Sequence, residues 1–283
     1  MTKAGLVLEG GGFRGIFTAG VLDVFLDEGI SFDGLIGVSA GAIHGCSYVS
    51  GQRGRSIRYY KKYCGDPRMM SIRNWLKTGN AVDTDFCYHQ LPEVLDKFDD
   101  EAFIKSPTAY YVTCTNLESG RAEHICLQDM RRDIDYLRAS ASLPYFSQIV
   151  ELDGKKYLDG GCADSVPLDA FESMGYRRCA VVLTQPAGYR KKPEFQLAAK
   201  LIYRKYPAFV SALINRHEAY NRQMDELDRL EREGCIFTIR PDSALDIGRM
   251  ENDVNKVQSV YEQGVKIARE RAAELKSWLK EEK

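Results

Sequence analysis

Two apolar runs that break off into glycine constrain this fold more than any other feature of the chain. Residues 5–8, GLVL, show no helical period and stop at Glu9 and three glycines, while residues 35–38, LIGV, run into Ser39-Ala40-Gly41. Each reads as a buried strand. After the first, Ile16, Ala19, Gly20, Val21, Val24 and Phe25 recur at helical spacing, with Gly29 as the stop, and the small residues after Ser39 predict the next helix. Strand, helix, strand, helix in this order implies right-handed crossovers and a parallel sheet covered by helices.

The remainder extends that pattern. Residues 53–105 are charged and aromatic, broken at Pro67, Gly79 and Pro92, and read as short helices and loops. Strands are expected at 109–115, 122–127, 156–158 and 179–184, and helices at 130–141 and 168–175. Asp153-Gly154 and Asp159-Gly160 are turn signals around the 156–158 strand. Residues 186–193, bounded by two prolines, read as a linker, followed by helices at 194–205, 207–233 and 252–282 and a short strand at 235–239. The expected division is a core of residues 5–185 and a mostly helical extension, 186–283, packed on it.

With 39 Lys or Arg against 40 Asp or Glu, the chain lacks the basic excess of a general nucleic-acid binder. Its eight cysteines never fall at C-x-x-C spacing and its histidines stand apart at 44, 89, 124 and 217, so no metal or cofactor is expected. The apolar stretch after Met1 is too short for a signal peptide, and no run approaches the ~20 residues of a membrane span. A cytoplasmic location with reduced thiols is expected.

Three stretches carry chemistry. Gly37-x-Ser39-x-Gly41, after a strand and before a small-residue helix, has the pattern of a nucleophile on a sharp turn, with Gly37 and Gly41 clearing space for the bend. A serine attacking an ester creates an oxyanion, and the loop EGGGFRG, residues 9–15, offers bare backbone N–H groups to hold it, Gly11 and Gly12 foremost. Arg14 is expected to fix this loop through a salt bridge rather than steer an anionic head group. The loop also spells Gly10-x-Gly12-x-x-Gly15, a dinucleotide fingerprint, but the second strand closes on Val38-Ser39 and not on the acidic residue that would hold a ribose. No histidine has the context of a catalytic base. Asp159, closing a strand in YLDGGCADSVPL, supplies the missing carboxylate, with Gly160 and Gly161 letting the chain turn back.

Together, GGGFRG at 10–15, GVSAG at 37–41 and DGG at 159–161 resemble the patatin-like phospholipase family, as does RASASLPYFS at 138–147. The resemblance covers roughly residues 5–185. It implies a three-layer α/β/α sandwich with a mainly parallel sheet, and a Ser39–Asp159 dyad that works without histidine. It also implies an oxyanion hole drawn from Gly10, Gly11, Gly12, Phe13, Arg14 and Gly15, and lipid acyl hydrolysis. A small-ester or thioester hydrolase with the same dyad, and a non-catalytic membrane-binding protein of the same fold, are the alternatives.

Residues 189–217 hold seven Lys or Arg against one Glu, interleaved with large apolar residues. Such a stretch can dock on anionic lipid, giving peripheral contact at the inner membrane surface. The commoner outcome, and the one expected here, is a helix packed on the core with a solvated charged face.

Overall fold

A computed structural model describes residues 2–248 and 251–281 of the chain. The two apolar runs form β1 (Lys3–Leu8) and β2 (Gly34–Val38), joined through α1 (Gly15–Asp27) and paired in parallel with Val7 beside Ile36. Next come α2 (Ala40–Val49), α3 (Arg55–Tyr63), α4 (Ile72–Thr78), a π-helical segment over Phe86–Leu95 that accommodates Pro92, and α5 (Asp100–Lys105). The strand signals in the middle of the chain become β3 (Ala109–Asn116) and β4 (Ala122–Leu127), with α6 (Met130–Ser140) after them. β5 (Val150–Leu152) and β6 (Lys155–Asp159) form a hairpin whose turn residues, Asp153 and Gly154, both adopt positive φ, 49° and 75°, as a two-residue turn of this hand requires. α7 (Leu168–Ser173) and β7 (Tyr176–Val182) follow.

Beyond residue 186 lie α8 (Gln196–Ile202), α9 (Pro207–Arg232), β8 (Phe237–Ile239) and α10 (Val254–Lys280). The helix expected over 252–282 is therefore found, with residue 282 outside the described residues. The strand expected at 235–239 is shorter and pairs in parallel with β7, Val182 beside Ile239, so it joins the same sheet as β1. α10 lies directly on α1: a Cβ on Gly20 would strike the Tyr261 carbonyl, and one on Gly264 would strike that of Phe17. Two glycines facing opposite backbones let these helices approach more closely than side chains would allow.

The sheet runs β5-β6-β3-β2-β1-β7-β8, with β4 also on β3. Alternation along the strands divides the core in two. Leu6, Leu8, Leu35 and Val112 face one side, packing with α1, α2 and α10, whereas Val7, Ile36 and Val181 face the other, packing with α7 and α9. This is a three-layer α/β/α sandwich on a mostly parallel sheet.

One detail of register brings Ser39 and Asp159 together. β4 occupies one edge of β3 from Tyr110 to Thr115, so both β2, paired as far as Val38–Thr113, and β6, starting at Asp159–Cys114, must lie on the other edge. β2 runs parallel to β3 and β6 antiparallel. Their C-terminal ends therefore meet head to head, which puts Ser39 and Asp159 beside each other although 120 positions separate them in the sequence.

Candidate active site

Ser39 occupies a bend that few side-chain-bearing residues adopt, with φ 53° and ψ −120°. Backbone of this kind costs ~1–3 kcal/mol and persists only when its surroundings hold it. Here the clamps are visible. A Cβ on Gly37 would lie 2.6 Å from the Ala42 backbone, and one on Gly41 would lie 2.6 Å from the Leu8 carbonyl oxygen. The Ser39 N–H donates to Ser140 Oγ at 3.0 Å, and the Ser140 hydroxyl donates onward to the Thr113 carbonyl at 2.7 Å. α2 begins at Ala40, so its positive N-terminal end faces this bend.

Asp159 is 2% exposed. Its N–H donates to the Ser142 carbonyl at 2.8 Å, and its carbonyl accepts from the Thr115 hydroxyl at 2.8 Å. The RASASLP stretch thus pins both residues, Ser140 holding Ser39 and Ser142 holding Asp159. Asp159 Oδ1 accepts from the Gly161 N–H at 2.8 Å, while Oδ2 is buried with no hydrogen-bond partner of normal geometry. Burial raises the Asp159 pKa above the usual carboxylate value, against the opposing pull of Arg216, the Ser39 hydroxyl, the Gly161 N–H and Lys191. Gly160 packs against β3, where a Cβ would collide with the Thr113 carbonyl, and the Gly161 carbonyl accepts from Arg216 Nε and from Ser165 Oγ.

The glycine loop lies directly over Ser39. A Cβ on Gly10 would sit 3.1 Å from Ser39 Cβ, and one on Gly11 would sit 2.7 Å from Thr184 Oγ1. Gly12 has φ 56°, the start of a short 3-10 turn in which Arg14 N–H donates to the Gly11 carbonyl. Among the described residues, no protein group accepts from the N–H of Gly11 or Gly12. Phe13 is buried and packs edge-on against Tyr60 at 5.2 Å, and Gly15 admits Ala40 and His44 against the start of α1. The preceding residue, Glu9, is a buried anchor. Its carboxylate accepts from the Thr184 N–H at 2.6 Å, the Thr184 hydroxyl at 3.0 Å and the Tyr220 hydroxyl at 2.8 Å, tying the loop to the end of β7 and to α9. The salt bridge expected of Arg14 is absent among the described residues, and its Nε is buried without a partner. The nearest carboxylate in sequence, Glu9, is already saturated.

Of the four histidines, His44 is fully buried, bonded through Nδ1 to Ser56, and held neutral by desolvation, with its pKa lowered to about 3. His89 is surface-exposed beside Glu93, and His124 pairs with Thr113 and Asp164. His217 lines a cavity that also reaches Ser39, but its Nδ1 is bonded to the Ile214 carbonyl and no hydrogen bond joins it to Ser39 or Asp159. Among the described residues, no group of three or more His, Cys, Asp or Glu is placed to hold a metal ion.

Two cavities meet at Ser39. The first is lined mainly by apolar side chains, among them Phe13, Ile43, Tyr60, Met69 and Leu137. The second adds Asp159 and a set of cations, Arg14, Lys191, Lys192 and Arg216.

The model of the patatin-like phospholipase family matches residues 6–172, which contain Ser39, Asp159 and the whole glycine loop. The chain belongs to the patatin-like phospholipase family. A second match, to a domain of unknown function (DUF6363), covers residues 206–280. Among curated members related to this patatin-like chain, the uncharacterized protein YjjU of Escherichia coli (strain K12) is 29% identical over 68% of the chain and 55% of that protein. Lysophospholipase NTE1 of Saccharomyces cerevisiae is 24% identical over 94% of the chain and 16% of that protein, and lysophospholipase nte1 of Aspergillus niger is 32% identical over 61% of the chain and 11% of that protein. The chain thus spans about half of the first relative's length and a small part of the others'. Among solved structures, VipD from Legionella pneumophila aligns with a TM-score of 0.47 at 12% identity, covering 95% of this chain and 66% of that one.

Several residues of this patatin-like site carry no motif. Ser140, Ser142, Glu9, Tyr220 and Arg216 act through long-range hydrogen bonds, and only the Ala-Ser-rich stretch at 138–147 hinted at the first two. No helix among the described residues is long and apolar enough to cross a membrane.

Proposed function

We propose that this protein is a serine lipid acyl hydrolase in which Ser39 is the nucleophile and Asp159 its base. The observation that carries this reading is a buried Asp159 Oδ2 without a hydrogen-bond partner of normal geometry, at the strand end that abuts the strained Ser39 bend. An alcohol needs a base to become an effective nucleophile, and catalytic hydrogen bonds often tighten only when substrate is bound. Asp159 Oδ2 takes the Ser39 proton as Oγ bonds to the acyl carbonyl carbon, whose oxygen becomes an anion held by the N–H groups of Gly11 and Gly12. Collapse of this intermediate breaks the ester bond, and the departing alkoxide takes the proton from Asp159. Water then attacks the acyl-enzyme while Asp159 accepts its proton, and the second collapse releases the fatty acid and returns the proton to Ser39. The elevated pKa brings Asp159 closer in basicity to its task, and the oxyanion donors supply most of the remaining acceleration.

The rim of the second cavity suits work at a bilayer. α4 exposes Ile72, Trp75 and Leu76, and α8 with its preceding residue exposes Phe195, Leu197, Leu201 and Ile202. Tyr145 bridges the two groups, accepting from Trp75 Nε1 at its carbonyl and placing its ring 5.6 Å from that of Phe195. This departs from the expected core-packing role for the basic stretch: α9 buries Phe209 as expected, but α8 turns its larger apolar side chains outward. Arg73, Lys77, Lys200, Arg204 and Lys205 stand on or beside these helices, so an anionic membrane surface is the contact this rim fits. The eight free cysteines accord with a reducing, cytoplasmic setting.

The test is a fluorophosphonate probe followed by mass spectrometry, together with hydrolysis of phospholipid vesicles and of short soluble esters. An adduct on Ser39, with vesicle hydrolysis lost in Ser39→Ala, is expected. Activity confined to short soluble esters would favour a small-ester hydrolase, and labelling elsewhere would remove the dyad.

A further inference from the structure

The cations of the second cavity enter the chemistry above only through the charge that Arg216 and Lys191 place near Asp159. Lys191 and Arg216 lie outside the residues covered by the family model, in the linker and on α9. Lys191 is fixed at its backbone by Asn221, whose Oδ1 accepts from the Lys191 N–H at 2.8 Å and whose Nδ2 donates to the Lys191 carbonyl at 3.1 Å. Its ammonium lies 3.6 Å from the centre of the Tyr220 ring and donates to Ser165 Oγ at 3.1 Å. Arg216 reaches the same turn, donating from Nε to the Gly161 carbonyl, with Nη2 3.1 Å from where a Gly161 Cβ would stand. That position is also 3.1 Å from Asp159 Oδ1, so the guanidinium reaches the immediate surroundings of the dyad.

Arg14 lines the cavity from the opposite end of the sequence, with its buried Nε unpartnered. Among the described residues, none of Arg14, Lys191 and Arg216 is within salt-bridge distance of a carboxylate. Two acids favour Lys191's charge: Glu9, whose oxygens are filled by Thr184 and Tyr220, and Asp159, whose Oδ1 accepts from the Gly161 N–H. Burial first, and then the repulsion of Arg216 and Arg14, disfavours the Lys191 charge, a cost that an anion bound beside it would offset. A guanidinium fork beside a compact ammonium matches the several oxygens of a phosphate group.

We infer that Lys191 and Arg216, with Arg14, form a subsite for the headgroup phosphate of a glycerophospholipid, held beside the scissile ester whose acyl chain enters the apolar cavity. The inference rests on the hydrolase reading above, and it assigns substrate selectivity to the C-terminal extension.

Lys191→Met is the cleaner probe, because Arg216 also steadies the Gly161 turn. Two substrates with the same acyl chain separate charge from chain: palmitoyl lysophosphatidylglycerol and monopalmitoylglycerol. For Lys191→Met, assayed on the alkaline plateau where Asp159 is ionised in both proteins, kcat/KM on the phosphate-bearing substrate should fall about tenfold, mostly through KM, with less than about a threefold change on the neutral one, as expected for losing one charge-assisted contact. Lys191→Arg should restore most of the loss. Equal losses on both substrates, or none, would overturn the subsite. Binding is measured in parallel by calorimetry on Ser39→Ala, with lysophosphatidylglycerol below its micelle concentration, glycerol 3-phosphate and inorganic phosphate. Lysophosphatidylglycerol should bind more tightly than the other two, and Lys191→Met should weaken it. If turnover is absent but this pattern holds, the hydrolase reading fails and the subsite stands. Failure of all three to bind, or equal affinity for inorganic phosphate and the lipid, would overturn the headgroup assignment.

Discussion

The two cavities that share Ser39 differ in chemistry and in origin. The apolar one is built from residues 12–143, all within the span of the family match, and its walls are tightly keyed rings such as Phe13 on Tyr60 and the Tyr59–Tyr60 pair. The cationic one draws Tyr189, Lys191, Leu213 and Arg216 from beyond that span. The two walls therefore differ in what a substitution in them can disturb. The strained bend and the glycine loop are held by the sheet and by the Tyr220–Glu9 bond from α9, whereas the cationic outer wall is supplied by the linker and other positions of α9. Substitutions at the seam where β2 and β6 meet and in each cavity should have distinct effects.

The largest effect belongs to the seam itself. Asp159→Asn retains the shape of the side chain but removes its ability to accept a proton, so kcat should fall at least about 10³-fold on charged and neutral esters alike. Circular dichroism and thermal unfolding should show an intact fold. If the two esters lost activity unequally, Asp159 would be acting on the headgroup rather than on Ser39. Next comes Gly12→Ala. With Gly12 at φ 56°, a methyl group strains the loop and turns its donors away from the oxyanion, which predicts a kcat loss of about 10²-fold with little change in KM. Unfolding measured beside kinetics separates misdirected donors from a weakened fold.

The strand-helix alternation, the Ser39 bend, the glycine loop and the Asp159 turn were legible in the sequence because each is a local pattern with a local physical cause. Their convergence was not. It depends on β2 and β6 meeting on one edge of β3, a register set by hydrogen bonds across distant positions, which no periodicity records. The same holds for Ser140, which only the Ala-Ser-rich stretch at 138–147 hints at and whose hydroxyl pins the Ser39 N–H, and for Tyr220, which reaches across to Glu9. Arg14 shows the reverse: a salt bridge fixing the glycine loop is expected, but the nearest acid in sequence, Glu9, already has three donors, and Arg14 Nε is buried without a partner. α8 misleads for a related reason, since alternating basic and apolar residues do not say which face the fold will cover.

A smaller effect tests the apolar cavity alone. Ile43 lies on α2 one turn after Ser39 and lines only the first cavity. Ile43→Trp would fill space meant for an acyl chain, so long-chain esters should lose about tenfold in kcat/KM while short-chain esters change little, in line with the ~1–3 kcal/mol that small changes of fit in a pocket are worth. Discrimination by headgroup should be untouched. A changed headgroup preference would show that the two cavities are not separate in function.

The smallest effect is a displacement of the pH profile, and its sign follows from the forces on Asp159. Burial raises its pKa, and Arg216 is the leading group that opposes the rise. The base works only when deprotonated, so kcat on a soluble neutral ester should climb with pH through an apparent pKa above the ~3.9 of a free aspartate. Arg216→Gln removes the opposing charge, allows burial to act with less restraint, and should move this limb further toward alkaline pH. Activity then falls most on the acid side and recovers toward the parent value once Asp159 is ionised in both proteins. Linkage gives a second reading of the same shift. A folded-state pKa raised above the unfolded one favours folding below the unfolded value, and that contribution fades as pH rises through the folded value. Arg216→Gln should therefore lose more stability at neutral than at acid pH, because it leaves the buried carboxylate with less compensation. A limb that moves toward acid pH, or a stability loss that is the same at every pH, would mean that Arg216 acts on the Gly161 turn and not on the charge of Asp159.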